Sequence, residues 1–169
     1  MNKLKWGLQG VIIPLVTPFK PDLSVDFDGL AQLIDYYVED VKCHGICACG
    51  TTGESPTLTH HEHKEVMRFV VNRVRKRVPV IAGTGSNSTA EAIDLTTDAK
   101  DAGVDASLQV CPYYNKPTQD GLFEHFRAIA AAVDLPQIIY NIPGRTSRNI
   151  EPATLVRLWQ EIPQVVGLK

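Results

Sequence analysis

The stretch VVGLK, residues 165–169, places a lysine at the end of an apolar run. A solvated lysine with a pKa near 10.4 is neutral and nucleophilic in only about one molecule in 2,500 at pH 7. Burial at the end of an apolar strand disfavours the ammonium, and a free amine held there attacks a carbonyl to form a Schiff base. A lysine reaching out to solvent or to a carboxylate is the competing reading, and residue types alone weigh the two evenly. Imine chemistry also needs proton transfers. Tyr140 closes the apolar run QIIY, Tyr113 and Tyr114 follow another such run, and Thr51 and Thr52 stand in GTTGES. A chain of tyrosine and threonine hydroxyls can shuttle protons, although Tyr140 taken alone also fits an ordinary buried aromatic. GTTGES further offers backbone N–H groups and hydroxyls in a glycine-flanked turn, a nest for a carboxylate. Arg145, in NIPGRTS, is a cation beside the tyrosine strand that can grip a carboxylate through two parallel hydrogen bonds; a surface arginine is the alternative.

A second group of polar residues lies apart from these. ESPTLTHHEH carries His60, His61 and His63 within one helical turn. They lack a clear Cys or His partner elsewhere, so a solvated helix start is favoured over a metal site. Glu91 stands three residues after Ser88, the spacing of a capping box. Cys43, Cys47, Cys49 and Cys111 do not have zinc-ligand spacing. Cys47 and Cys49 are expected on one face of a strand as buried reduced thiols, and no metal is expected.

These residues must be gathered by the elements that carry them. GVIIPLVTPF reads as a strand, followed by DFDGLAQLIDYYVED, where Leu30, Leu33, Ile34, Tyr37 and Val38 recur at helical spacing. GICACG, VPVIAGTG, ASLQVCPYY, PQIIYNIP and QVVGLK read as five further strands. The helices between them are THHEHKEVMRFVVNRVRKR, STAEAIDLTTDAKDAG, QDGLFEHFRAIAAAV and EPATLVRLWQEI, the last with Pro152 in its first turn. Thr59 and Glu62 form a capping box for the first of these, and its basic end from Arg73 to Arg77 suits the negative end of a helix dipole. Gly83 and Gly85 read as turn glycines.

A β-α repeat of this kind demands a parallel sheet. Chemistry-bearing residues follow every strand, and a closed (β/α)8 TIM barrel gathers all those ends at one mouth, whereas an open sheet uses mainly its switch point. The barrel is favoured, with this chain supplying about six strands and five helices. Six strands do not close a barrel of roughly 250 residues. Residues 1–169 are therefore expected to be the N-terminal part of a single barrel domain, with about a hundred or more residues and any C-terminal helical region still to follow. The alternative, a complete chain, would be a non-catalytic interaction fragment.

The chain is 44% hydrophobic and 21% charged with a formal net charge of −2, which gives no reason to expect nucleic acid or a membrane as partner. Gln9, Pro14 and Pro18 interrupt the apolar start, and no small-residue cleavage site follows it, so the segment reads as a strand and the protein as cytoplasmic.

In their order, GVIIPLVTPF, CGTTGES, VIAGTGSNSTAEAI, PYYNKPTQDGLFEHFRAIA, IIYNIPGRT and VVGLK resemble the dihydrodipicolinate synthase / N-acetylneuraminate lyase family of pyruvate-dependent class I aldolases. GTTGE, the paired YYN and the arginine of YNIPGRT look most like the synthases of that family. The resemblance implies that Lys169 forms a Schiff base with pyruvate and that Tyr140 is the acid/base. Thr51 would relay protons to Tyr114, which would reach into the neighbouring subunit's site. Thr51 and Thr52 would hold the pyruvate carboxylate, and Arg145 that of aspartate semialdehyde. The pathway implied is lysine biosynthesis, with no metal or organic cofactor because the lysine imine is the electron sink, and a homodimer or homotetramer as the assembly. Another aldolase of the family, acting on a sugar acid, is the alternative. The resemblance also matches Ser55, His60, His63, Asn87, Glu91 and Tyr113 to an allosteric site for L-lysine as feedback inhibitor. The set suits an amino acid, since Glu91 can meet an ammonium and Tyr113 can donate to a carboxylate. Pro56 stands where alanine is common in the family, which puts the local backbone in question.

Overall fold

The computed structural model describes residue 7 and residues 9–169. Residues 1–6 and 8, at the apolar start, lie outside the described residues. Six strands form one parallel sheet: β1 (Ile12–Pro14), β2 (Gly45–Ala48), β3 (Val80–Gly83), β4 (Ala106–Val110), β5 (Gln137–Tyr140) and β6 (Val165–Leu168). Their spatial order is the chain order. A doubly wound sheet reverses order at its switch point; this one winds in a single direction, as a (β/α)8 barrel does, and the architecture is that of a partial TIM barrel. Each apolar run predicted as a strand contains one, trimmed to three to five residues.

The period of two along each strand divides the interior. Cys47, Ile81, Ala106, Leu108 and Ile138 form an inner cluster, joined by Ile12, Tyr140 and Val166. The opposite face packs on helices α1 (Phe27–Asp35), α2 (His60–Val74), α3 (Thr89–Ala102), α4 (Gln119–Ala132) and α6 (Pro152–Glu161), while α5 (Pro143–Thr146) is a single turn after β5. Leu30 and Ile34 of α1 and Val66, Met67 and Val70 of α2 are almost fully buried there, each such aliphatic side chain contributing about 1.5–3 kcal/mol.

Several expectations are corrected. The first helix does not run through to Asp40: α1 ends at Asp35 and widens into a π turn over Tyr36–Asp40, closed by Val41 N–H donating to Tyr36 O at 3.0 Å. A one-turn helix, α5, appears where a loop was expected. The basic end of α2 answers more than its own dipole: Arg73 and Arg77 pair with Asp35, and Arg77 also with Glu39, clamping α2 to α1. The Arg73 and then the Arg77 hydrogen bonds hold the Asp35 carboxyl below its ordinary value. Cys47 and Cys49 do not share a face. β2 ends at Ala48, Cys49 turns to a left-handed φ of 51°, and its thiol points at the His63 carbonyl of α2, 3.7 Å away. All four cysteines are free and buried, as read. Gly83 and Gly85 are not left-handed turn residues. A Cβ on Gly83 would sit 2.2 Å from Cys49 O, and one on Gly85 2.3 Å from Val110 N; both are needed for close backbone approach between neighbouring strand ends.

Among the described residues no helix is long and apolar enough to cross a membrane.

Candidate active site

The loops that follow β2 to β5 enclose a cavity of about 420 Å³. Its position is set locally, turn by turn. After β2, residues 50–55 fold tightly, with Gly53 N–H donating to Gly50 O at 3.0 Å and Glu54 N–H to Thr51 O at 3.1 Å. Thr17, 5% exposed, pins this turn from the segment after β1 by donating to Gly53 O at 2.7 Å. Nothing in the residue pattern singled out Thr17, because its partner lies 36 positions away. The turn leaves Thr51 and Thr52 exposed, and Thr51 lines the cavity.

Tyr140, the last residue of β5, and Arg145, on α5, line the same cavity. The α5 turn is anchored by Thr146, which is 1% exposed and bonds the Ile142 carbonyl at 3.1 Å. Lys169 is bracketed against β5 by its backbone: its N–H donates to Ile139 O at 2.8 Å and its carbonyl accepts from Asn141 N–H at 3.0 Å. That register lays Nζ over the face of Tyr140, 4.5 Å from the ring centroid, an ammonium–π arrangement. Within residues 7–169 Lys169 is not enclosed. Leu168 is 51% exposed and Lys169 is exposed, because β6 is the edge strand of the sheet and has a neighbour on one side only. The Lys169 charge reaches Cys47 and favours its thiolate, but burial dominates and pushes that thiol up to about 11.

The second group of predicted residues lines the same cavity: Ser55, His60, His63, Glu91 and Tyr113. Here the capping box expected at Ser88 and Glu91 is only half made. Ser88 Oγ accepts from Glu91 N–H at 3.3 Å, but the Glu91 carboxylate turns away from the Ser88 backbone. Instead it accepts from Ser86 Oγ at 2.7 Å and meets His60 Nε2 at 2.8 Å. A carboxylate that caps nothing and is oriented by two side chains into a cavity is poised for a cation. Ser86, 2% exposed, was missed; its signal was its place in GTGSN, directly before Asn87. His63 is 3% exposed, and burial lowers its imidazole below the ordinary value against the opposing pull of the Gly83 backbone. The Pro56 question has a local answer. Ser55–Thr57 form a single 3₁₀ turn with Pro56 inside its first residues, a position its fixed φ suits.

Three predicted residues stand outside the lining besides Lys169: Thr52, Asn87 and Tyr114. Asn87 accepts from Asn115 Nδ2 through its backbone carbonyl at 3.0 Å. Tyr114 is 90% exposed with φ 70°, so within one chain it is not brought to Thr51 or Tyr140. Among the described residues no three His, Cys, Asp or Glu side chains converge as a metal site. Two hydroxyl carriers, a guanidinium and an oriented carboxylate therefore line one cavity, and the Lys169 amine lies beside it over the Tyr140 ring. That set can capture a carbonyl compound, move its protons and hold its carboxylate.

Known proteins agree with the motif reading. Residues 7–169 match the family model described as the dihydrodipicolinate synthetase family. The chain is 54% identical over 162 residues to 4-hydroxy-tetrahydrodipicolinate synthase of Pseudomonas putida (strain W619), covering 96% of this chain and 55% of that protein. Among solved structures it is similar to the chloride-inhibited dihydrodipicolinate synthase of Acinetobacter baumannii complexed with pyruvate, at 51% identity and a TM-score of 0.93, over 96% of this chain and 55% of that one. It is also similar to the enzyme of Cyanidioschyzon merolae with lysine bound, at 47% identity and a TM-score of 0.89, over 95% of this chain and 54% of that one. The chain spans about half the length of the curated relatives it matches.

Proposed function

Because the chain belongs to the dihydrodipicolinate synthetase family, we propose that the whole protein condenses pyruvate with L-aspartate 4-semialdehyde, yielding 4-hydroxy-tetrahydrodipicolinate for lysine biosynthesis. The observation that carries this reading is the Lys169 amine held over the Tyr140 ring, beside the cavity that Thr51 and Arg145 line. The neutral amine attacks the pyruvate ketone carbon. Tyr140 supplies the proton that lets the carbinolamine lose water as the protonated imine forms, and its phenolate then takes a proton from the methyl carbon to give the enamine. The enamine carbon attacks the aldehyde, forming the new C–C bond, and the incoming amino group then displaces Lys169 as the ring closes. Thr51 and Thr52 hold the pyruvate carboxylate and Arg145 that of the semialdehyde. The imine itself takes up the electron pair, so the reading uses no metal or organic cofactor.

Tyr114 acts in this scheme only where two copies meet, so the reading requires at least a homodimer, with a homotetramer as the full form. The test of the reaction is reduction with borohydride in the presence of pyruvate, followed by peptide mass mapping of the whole protein. A stable three-carbon addition on Lys169 is expected; no addition, or one on a different lysine, removes the mechanism.

The oriented Glu91 carboxylate in the cavity lining supports L-lysine as an inhibitory ligand. Glu91 would take its ammonium, and Tyr113 its carboxylate. Losing one charge-assisted partner costs about 1.5–3 kcal/mol, so Glu91→Gln is expected to weaken lysine binding, followed by calorimetry, about tenfold or more, while pyruvate capture at Lys169 persists. A wild-type protein that shows no heat with millimolar lysine would return Glu91 to a purely structural role.

A further inference from the structure

The turn that carries Arg145 continues into Arg148, which neither the reaction scheme nor the lysine site uses. The Arg148 backbone is fixed from both sides. Thr146 Oγ1 accepts from Arg148 N–H at 3.3 Å and lies 2.9 Å from the Arg148 carbonyl. One residue on, Asn149 Oδ1 accepts from Asn141 Nδ2 at 2.8 Å, and Asn149 O accepts from Gln119 Nε2 at 2.9 Å. From this base the Arg148 guanidinium reaches across to the loop after β4, where Nη2 donates to Lys116 O at 2.8 Å. Its Nε is buried with no hydrogen-bond partner, so the side chain is partly desolvated for the sake of one backbone carbonyl.

The segment it grips is unusual. Tyr114 and Lys116 have φ values of 70° and 47°, left-handed conformations that L side chains keep only where their surroundings hold them. Lys116 also precedes Pro117, which narrows its backbone freedom further. Asn115 supplies the other tie, from its Nδ2 to Asn87 O at 3.0 Å. The loop bearing Tyr113 and Tyr114 is thus moored on one side to the loop after β3 and on the other to the Arg145 turn.

We propose that Arg148 is a positioning residue: through the Lys116 carbonyl it holds residues 113–116 in their left-handed course, so that Tyr113 faces the cavity and Tyr114 projects outward in register with Arg145. The catalytic consequence rests on the function proposed above; the mooring itself does not. The experiment is hydrogen–deuterium exchange of the whole protein without substrate, for wild type, Arg148→Ala and Arg148→Lys. Loss of a hydrogen bond from a charged donor raises opening about tenfold or more, so exchange over residues 113–118 rises by that factor in Arg148→Ala. Exchange over residues 143–147 stays at the wild-type level, because Thr146 still anchors that turn. Arg148→Lys, which keeps one charged donor without the planar fork, falls between. In the condensation assay Arg148→Ala lowers kcat about tenfold and shifts KM for pyruvate less than about twofold, since Thr51 and Arg145 are untouched. Unchanged exchange over residues 113–118 overturns the proposal, as does a rise spread over the whole chain, which would mark a packing role. Where Arg148→Ala does not fold, Arg148→Lys is read by the same peptides. A wild type without condensation activity defeats the functional reading and leaves the exchange result to decide the mooring.

Discussion

Lys169→Arg is expected to lower kcat at least about a thousandfold and to abolish the pyruvate adduct, with the fold intact. The substitution is chosen for what it keeps. Lys169 is exposed at the end of an edge strand and tied to β5 through its backbone N–H and carbonyl, and neither tie depends on the side chain. An arginine retains a cation that can lie over the Tyr140 face as Nζ does now. What it loses is a nitrogen that can shed its proton, since a guanidinium stays charged at any working pH. A lost rate has to be told apart from a lost fold. Steady-state kinetics and the borohydride mass map, run on the same preparation with a thermal melt as control, separate the two. Activity within about tenfold of wild type would mean that another nucleophile carries the reaction.

The parallel sheet, its helices and the gathering of Thr51, Tyr140 and Arg145 were legible because each depends on local signals. Strand runs and helical periodicity are read within windows of a dozen residues, and a barrel then places every strand end at one mouth. What was not legible depends on partners distant in the chain or on backbone angles. Cys49 changes face because one residue turns left-handed at the end of β2. Glu91 had a complete local explanation three residues away in Ser88, yet its carboxylate pairs with Ser86 and with His60, 31 positions distant. Gly83 and Gly85 looked like turn residues, while their need is steric, from the backbones of Cys49 and Val110. Thr17 and Arg148 carried no motif at all, and each acts by bonding a single backbone carbonyl of a loop that bears functional side chains.

Tyr140→Phe is expected to slow condensation by about 10²–10⁴-fold, the usual contribution of a positioned general acid or base. Phenylalanine preserves nearly everything the structure assigns to this position. The ring still packs with the inner cluster around Leu108 and Ile138, still offers a face to the lysine ammonium, and its backbone carbonyl still accepts from Cys111 N–H at 3.1 Å. Only the hydroxyl is removed, so a melt should shift little and pyruvate should still reach the site. The loss should appear in the rate of imine formation: borohydride trapping over time reaches the wild-type mass, but slowly. Tyr113 supplies the internal comparison, because it lines the same cavity. If Tyr113→Phe slows the trapping as much as Tyr140→Phe, the proton path runs through the cavity as a whole. If Tyr140→Phe stays within about threefold of wild type, Tyr140 is a packing aromatic under the lysine and the acid/base must be sought elsewhere. A large effect at Tyr140 beside a small one at Tyr113 assigns the proton to the hydroxyl of the ring that the β5–β6 register places beneath Nζ.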